Sequence, residues 1–462
     1  MTINSTSNNI PISQDLSDFL SEAEPYIDHL DTLNFSTVAE LYDLFNEAAK
    51  VATKYIDKID PELRVNICEK QDKVLERIVD DLPPFEHFGE QLGVYAPELY
   101  KYGKWKNIQL LKDCGLVPYY LAKIIDAKPV MYFGSKVSDY PYLNDISGME
   151  MLYHENEYDL ECAYKNFLLN NYTKMDVLVL YGMYNESLSY LDAYRQLRPD
   201  GKVYCGLDMN SWWMNGVLWD SEPAKQFASQ SDVIATSCRL VRDSLNRNPN
   251  VHFPCRWFTN GFFNPTGKPV VANAEKKDNI ILTVGRIGTK QKNNEELLAA
   301  FAQVSDVLNG WCLHLVGPIE PDFDIYINNY YQKYPHLKEK VIFTGSIVDK
   351  AALYDEYTRA KIFVITSKEE GGTPNVYAEA LFHGCMFVTS DIDGADDITN
   401  YGELGAVYTS GDVKGLTDAL LNVCSDADVN AFQQHIPKNL AYANKYYDWN
   451  RNAKKLAYML FK

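Results

Sequence analysis

The stretch SKEEGGTPNVYAEALFHG, residues 367–384, combines an acidic, glycine-rich turn with a helix that carries a carboxylate. Those are the residue types needed to hold an anion and a polyol side by side. Thr373 suits an N-cap and Pro374 the first helical position, where its missing N–H costs nothing and its φ is already helical. The backbone N–H groups from Gly371 to Asn375 then lie at the positive end of a helix dipole, where anions bind. Glu379 follows roughly 7.5 Å along the helix at about 1.5 Å per residue, the spacing between a diphosphate and the ribose of one nucleotide. A carboxylate there can accept hydrogen bonds from two neighbouring hydroxyls. An ordinary capped helix at the end of a strand reads the same way, so the turn needs support from elsewhere in the chain.

Other strand ends supply it. NIILTVG is followed by Arg286, IGTKQ and Lys292 before the helical NNEELLAAFAQV. Arg286, Lys290 and Lys292 on one turn can converge on phosphate, Arg as a fork and Lys as a point charge. KVIFTGS is followed by Ile347 and Val348, whose backbone suits a base edge. Together these ends predict a site for a nucleotide diphosphate.

The elements that must position these residues follow a clear alternation. From about residue 105 short apolar runs alternate with amphipathic helices: NIQLL, PVMYFG, MEMLYH, DVLVLYG, KVYCGLD, DVIATSC and VHFPCRWF. After NGFFNPTGKP the alternation restarts with NIILTVG, WCLHLVG, KVIFTGS, KIFVITS, CMFVTSD and GAVYTS. Strand–helix alternation builds a mainly parallel sheet covered on both faces, so the fold class is α/β with two Rossmann-like domains. Ligands of such sheets bind beyond the carboxyl ends of the strands, which predicts two domains facing a cleft. Upstream, apolar residues at three and four spacing from Ser13 to about Glu90 predict a helical extension, either a layer packed on the body or a partner-binding module. The expected boundaries are 1–104 for a polar tail and this extension, 105–268 and 269–430 for the two Rossmann-like domains, and 431–462 for closing helices.

Composition excludes several classes. A net charge of −19 argues against coating nucleic acid or docking on an anionic membrane. No apolar run reaches the length of a membrane span. The polar start MTINSTSNNIPISQ has neither the basic nor the apolar region of a signal peptide, so a cytoplasmic protein is expected. Nine scattered cysteines fit buried thiols, and no clustered Cys/His spacing points to a metal. Asp391-Ile-Asp393 has the letters of a metal-binding Asp-x-Asp element, but it sits in DIDGADDIT, where Asp and Gly serve turn geometry.

The carboxyl-terminal half resembles the donor domain of family-4 (group 1) retaining glycosyltransferases of GT-B fold. VGRIGTKQKNNEELLAAF, LHLVGPI, VIFTGSI, LYDEYTRAKIFVITSKEEGGTPNVYAEALFHGC and GADDITNYGELG, taken in order over about residues 278–425, carry the likeness. KNIQLLKDCGLVPYYLAK and WFTNGFF resemble the opening and closing segments of the first domain. The resemblance implies transfer of a hexose or N-acetylhexosamine from a nucleotide diphosphate sugar, UDP being the commoner nucleotide, with retention and without a metal or other cofactor. Many members of that family use lipid acceptors at membranes, but the acidic charge and the lack of a basic amphipathic helix favour a protein or polysaccharide acceptor here. A homo-oligomer or a partner is expected at the helical extension. Arg286 and Lys292 would stabilise the departing diphosphate and Glu379 would hold the ribose. The family's two glutamates are separated by seven residues, whereas eight separate Glu370 from Glu379 here. Either an insertion in the turn restores Glu370 to the donor sugar, or Gly371, Gly372 and Thr373 replace it through their backbone. The alternatives in function are a catalytically silent GT-B subunit that binds glycans or guides a partner, a sugar-nucleotide epimerase, or a phosphorylase.

In the first domain, Gly115 is expected to admit a sugar or phosphate close to the backbone. Asp208, closing KVYCGLD, would hold donor hydroxyls or orient the acceptor, or would cap the helix before NSWWMNG. His154 is a possible acceptor contact or a surface histidine. Trp212, Trp213 and Trp219 suit either core packing or sugar stacking.

Overall fold

The structure, a computed structural model, describes residues 12–85, 93–97, 110–133, 143–153, 160–425 and 427–462. It divides into two compact units, Met1–Thr259 with Trp449–Lys462, and Asn260–Asp448.

The first unit begins with three helices, α1 (Ile12–Asp28), α2 (Phe35–Lys54) and α3 (Pro61–Ile78). Their ends are chemically marked. Asn34 accepts from Thr37 N at 3.0 Å, and Asp60 accepts from Glu62 N at 2.9 Å with Pro61 opening the helix. The chain then runs β1 (Gly93–Pro97), α4 (Asp113–Ile124), β2 (Lys128–Phe133), β3 (Glu150–Tyr153), α5 (Leu160–Asn171), β4 (Val177–Tyr181), α6 (Asn185–Leu197), β5 (Lys202–Leu207), α7 (Ser211–Gly216), α8 (Glu222–Gln230), β6 (Val233–Thr236), α9 (Arg239–Arg247) and β7 (Cys255–Trp257). The seven strands form one parallel sheet in the order β3-β2-β1-β4-β5-β6-β7.

The second unit contains β8 (Asp278–Val284), α10 (Asn294–Val304), β9 (Cys312–Val316), α11 (Phe323–Lys333), β10 (Val341–Gly345), α12 (Lys350–Arg359), β11 (Ala360–Ile365), α13 (Asn375–Phe382), β12 (Met386–Ser390), α14 (Ala395–Thr399), β13 (Gly405–Tyr408), α15 (Val413–Ser425) and α16 (Val429–Tyr446). Its parallel sheet runs β10-β9-β8-β11-β12-β13. Every residue of β11 is buried, as a strand covered on both faces requires. The final helix α17 (Trp449–Phe461) belongs to the first unit. The expectation of two Rossmann-like α/β domains with helices before them holds.

The expected boundaries differ from these units. The first sheet starts at Gly93, inside the segment read as helical extension; NIQLL instead yields a turn at Leu110 and Leu111, its other residues lying outside those described. GVYAP is short, bounded by Gly and Pro and buried throughout, so it shows neither alternation nor length. The closing helices are divided, α16 in the second unit and α17 in the first, because Asn452 of α17 donates to Thr259 O at 3.1 Å and the Tyr120 and Trp449 rings stack at 5.5 Å.

Helices α1 to α3 are an integral layer of the first unit. Asp72 of α3 accepts from Arg242 of α9 at 2.8 Å and Arg256 of β7 at 3.0 Å, and all three side chains are buried. Arg64 donates to Val251 O at 3.0 Å and to Phe253 O. Glu76 pairs with Arg451 and Lys455 of α17. Burial pushes the Glu76 carboxyl upward, but Lys455 and Arg451 outweigh it and hold it below the usual range.

Candidate active site

In the second sheet, strand order reverses between β8 and β11, the place where open α/β sheets bind ligands. The turns after these two strands are stitched together by backbone contacts. Gln291 O accepts from Lys368 N at 2.8 Å, and Lys292 O accepts from Thr366 Oγ1 at 2.8 Å. Lys292 and Glu370, distant in sequence, are brought into an ion pair by this pairing.

Glu370 points inward and is 9% exposed. Its Oε1 takes Lys292 Nζ and the Ser367 hydroxyl, the latter at 2.5 Å, while Oε2 lies 3.5 Å from Gln291 Nε2. Arg286 is exposed and donates to Gln291 Oε1 at 2.5 Å. Gln291 therefore links the arginine to the acidic turn, since its Nε2 also donates to Glu369 O at 3.0 Å. A small cavity between the strand ends is lined by Gly285, Arg286, Lys292, Asn294 and Ser367. Lys290 is exposed on the same turn.

The acidic turn departs from expectation in two respects. Pro374, with φ −63° and ψ 140°, occupies the N-cap and Asn375 opens α13, one residue later than expected. The Gly372 N–H, expected at the helix end to meet an anion, bonds to Glu370 O at 3.0 Å. Gly372 has φ +83°, a conformation glycine adopts without strain, and this lets the chain fold back over Glu370. Gly371 is exposed, and Thr373 is buried at 2%.

Glu379 sits on α13 as expected, and α12 holds it. Tyr357 donates its hydroxyl to Oε2 at 2.7 Å, and Lys350 Nζ lies 3.7 Å from Oε1. Burial, then the Glu379 charge, raises the Tyr357 phenol well above its ordinary range, keeping it a donor. The remaining lone pairs of Glu379 leave capacity for further hydroxyls. Beneath it, buried His383 contacts Glu379 O through Nδ1 at 2.6 Å and stacks on Tyr357. Burial lowers its pKa to about 4, so it is neutral at pH 7. Ile347 and Val348 follow β10 in the loop before α12, and Val348 is 73% exposed.

At the reversal of the first sheet, between β1 and β4, Tyr181 donates to Asp113 Oδ2 at 2.7 Å. Burial first, then the charges of Asp113 and Asp208, raises Tyr181 well above its usual range. Asp208 is exposed at the end of β5. It is not the helix cap: Asn210 accepts from Trp213 N at 2.9 Å. Gly115 lies inside α4, where an added Cβ would come within 2.7 Å of Leu110 Cα. Its bareness serves the packing of its own turn, which accounts for the glycine without a ligand. Trp219 is buried at 4%, whereas Trp212 and Trp213 are 68% and 60% exposed, so only the first meets the expectation of core packing. His154 lies outside the described residues. Asp391 serves the turn, accepting from Ser410 N at 2.8 Å. Among the described residues no cluster of His, Cys, Asp or Glu could hold a metal, the cysteines are free, and no helix is long and apolar enough to cross a membrane.

Sequence reading assigned no role to Ser367, Gln291, Tyr357 or Asp113. Ser367 and Gln291 flank the chosen motifs and were within reach of it. Tyr357 and Asp113 act on partners distant in sequence and left no local signal.

Residues 278–426 match the family model for glycosyl transferases group 1, so the second unit carries a glycosyltransferase domain. The chain matches no curated relative. Similar solved structures include the lipopolysaccharide outer core galactosyltransferase WaaB in its apo form, with TM-score 0.56 and 16% identity over 80% of this chain and 99% of that one. HepE of Anabaena in complex with UDP gives 0.59 and 13% over 80% and 99%. Sucrose-phosphate synthase of Thermosynechococcus elongatus gives 0.57 and 17% over 79% and 97%. The fold is thereby the GT-B architecture of two Rossmann-like domains.

Proposed function

We propose that this protein is a retaining glycosyltransferase that moves a hexose or N-acetylhexosamine from a nucleotide diphosphate sugar to a protein or polysaccharide acceptor. The observation that carries the reading is the meeting of Arg286, Lys292, Ser367 and Glu370 at the β8/β11 reversal, within the segment that matches the glycosyltransferase family. A glycosidic bond to phosphate breaks with negative charge growing on the diphosphate. Arg286 and Lys292 would stabilise that charge without a metal. The acceptor oxygen bonds to the anomeric carbon on the face the diphosphate leaves, and its proton passes to the departing phosphate oxygen. Glu379, steadied by Tyr357, takes the ribose hydroxyls, and Glu370, fixed by Ser367 and Lys292, takes the donor sugar. UDP is the favoured nucleotide, supported by the UDP and UDP-glucose complexes of HepE.

The test is a screen of UDP- and GDP-sugars for binding by calorimetry and for release of free nucleotide, with and without a chelator. One nucleotide sugar is expected to bind and to release its nucleotide slowly to water, and faster with acceptor, regardless of chelation. Binding without turnover would mark a silent subunit, and dependence on a divalent ion would overturn the metal-free mechanism. Absence of any binding would overturn the whole reading.

A further inference from the structure

Two adjacent tryptophans left in water need a reason, because burying large apolar side chains stabilises a fold and exposed apolar patches mark interaction sites. Trp212 and Trp213 are 68% and 60% exposed, and their rings meet edge to face at 5.2 Å and 82°. The helix that carries them is anchored. Met209, Asn210 and Met214 are buried, Asn210 caps Trp213 N, and the buried Trp219 donates from Nε1 to Met214 O at 3.0 Å. The indoles thus stand on a fixed turn, and the segment leading into it begins with exposed Asp208.

We propose that Trp212, Trp213 and Asp208 form a platform for a carbohydrate acceptor, one pyranose ring stacking its C–H face on an indole while its hydroxyls donate to the carboxylate. The proposal rests on the glycosyltransferase reading and narrows it from protein or polysaccharide to carbohydrate. Exposed indole faces and an exposed carboxylate four residues before the first of them, on one anchored segment, complement a pyranose, which presents a C–H face and vicinal O–H donors in one rigid unit. A peptide serine or threonine offers one hydroxyl and no such face. An anionic bilayer is opposed by Asp208 and by the net charge of −19.

The experiment follows tryptophan emission, without any nucleotide, as chito-, malto-, xylo- and β-gluco-oligosaccharides are titrated in. At least one series is expected to give a saturable blue shift. Trp212→Ala and Trp213→Ala should each weaken that binding about tenfold or more with an unchanged melting temperature, and Trp→Phe at either position should restore part of it. With donor present, the same variants should raise the acceptor KM far more than they lower kcat. No shift with any series, native affinity in both Ala variants, or a shift only with phosphatidylglycerol vesicles or serine-rich peptides would overturn the proposal. Because the titration contains no nucleotide, its failure is distinct from failure of the nucleotide-sugar screen.

Discussion

Two charge clusters, Asp72 with Arg242 and Arg256 in the first unit and Arg286 with Lys292 and Glu370 in the second, use similar residues in opposite ways. The first is sealed and balanced. Asp72 meets both arginines, Arg242 also meets Asp243 at 2.6 Å, and the Arg242, Arg256 and Asp72 side chains are 3%, 8% and 8% exposed. The second opens to solvent and is short of negative charge: Lys292 has its carboxylate, while the exposed Arg286 contacts the neutral Gln291. A balanced buried cluster orients packed elements, here the helical layer on β7 and α9. An open cationic surplus at a strand end suits an incoming anion.

The largest expected effect lies in the sealed cluster. Asp72→Ala leaves Arg256 buried without a carboxylate and Arg242 with Asp243 alone, and breaking such a pair typically costs about 3–5 kcal/mol. Denaturant unfolding should show that loss; a change below about 1 kcal/mol, an ordinary surface effect, would mean that the cluster does not hold the layer. Next come Arg286→Ala, expected to leave stability unchanged, and Lys292→Ala, expected to keep the fold with some loss of stability because the buried Glu370 loses its partner; each should lower sugar transfer about a hundred- to thousandfold, or about 2.7–4 kcal/mol. Near-native turnover in both would erase the contrast between the clusters. Tyr357→Phe removes a hydrogen bond to a charged group, worth about 1.5–3 kcal/mol, and should weaken nucleotide-sugar binding about tenfold or more. Unchanged donor affinity would separate Glu379 from the donor.

The smallest effect is a difference in acid sensitivity. Burial lowers His383 and His435 of the second unit from an ordinary 6.5 to about 4. The folded state disfavours their charged forms, so their contribution is complete well above pH 6.5 and falls as pH drops from 6.5 toward 4, by about 1 kcal/mol per histidine at pH 5.5. Glu76 of the first unit is shifted below its ordinary 4.5, so its contribution persists above that value and is lost only at lower pH. Between pH 6.5 and 4.5, unfolding followed by hydrogen exchange should show the second unit weakening first. Equal weakening of both would contradict the burial of the histidines.

The second unit was far more legible than the first. Each of its six strands was visible as a short run rich in apolar residues, most clearly β11, whose residues are all buried. The first unit hid β1 in five residues bounded by Gly and Pro, and its helical layer showed amphipathic periodicity without showing what it packs against. In the site, Arg286, Lys292 and Glu379 were legible from residue type and place after a strand or on a helix. The orientation of Glu370 was not, since an extra residue in the turn allowed either the carboxylate or the backbone to face the ligand.

By itself the sequence determined the second series of strands and helices and most of the first, the cationic turn and a carboxylate one helix turn into α13, all set by local periodicity. Only the tertiary structure decided that Glu370 turns inward onto Lys292 and Ser367, that Tyr357 steadies Glu379, and that Trp212 and Trp213 stay in water while Trp219 is buried. Lys292 and Glu370 are 78 residues apart and meet because β8 and β11 are neighbours at the point where strand order reverses. Strand adjacency is settled by how whole elements bury their faces against one another, and no local spacing encodes it.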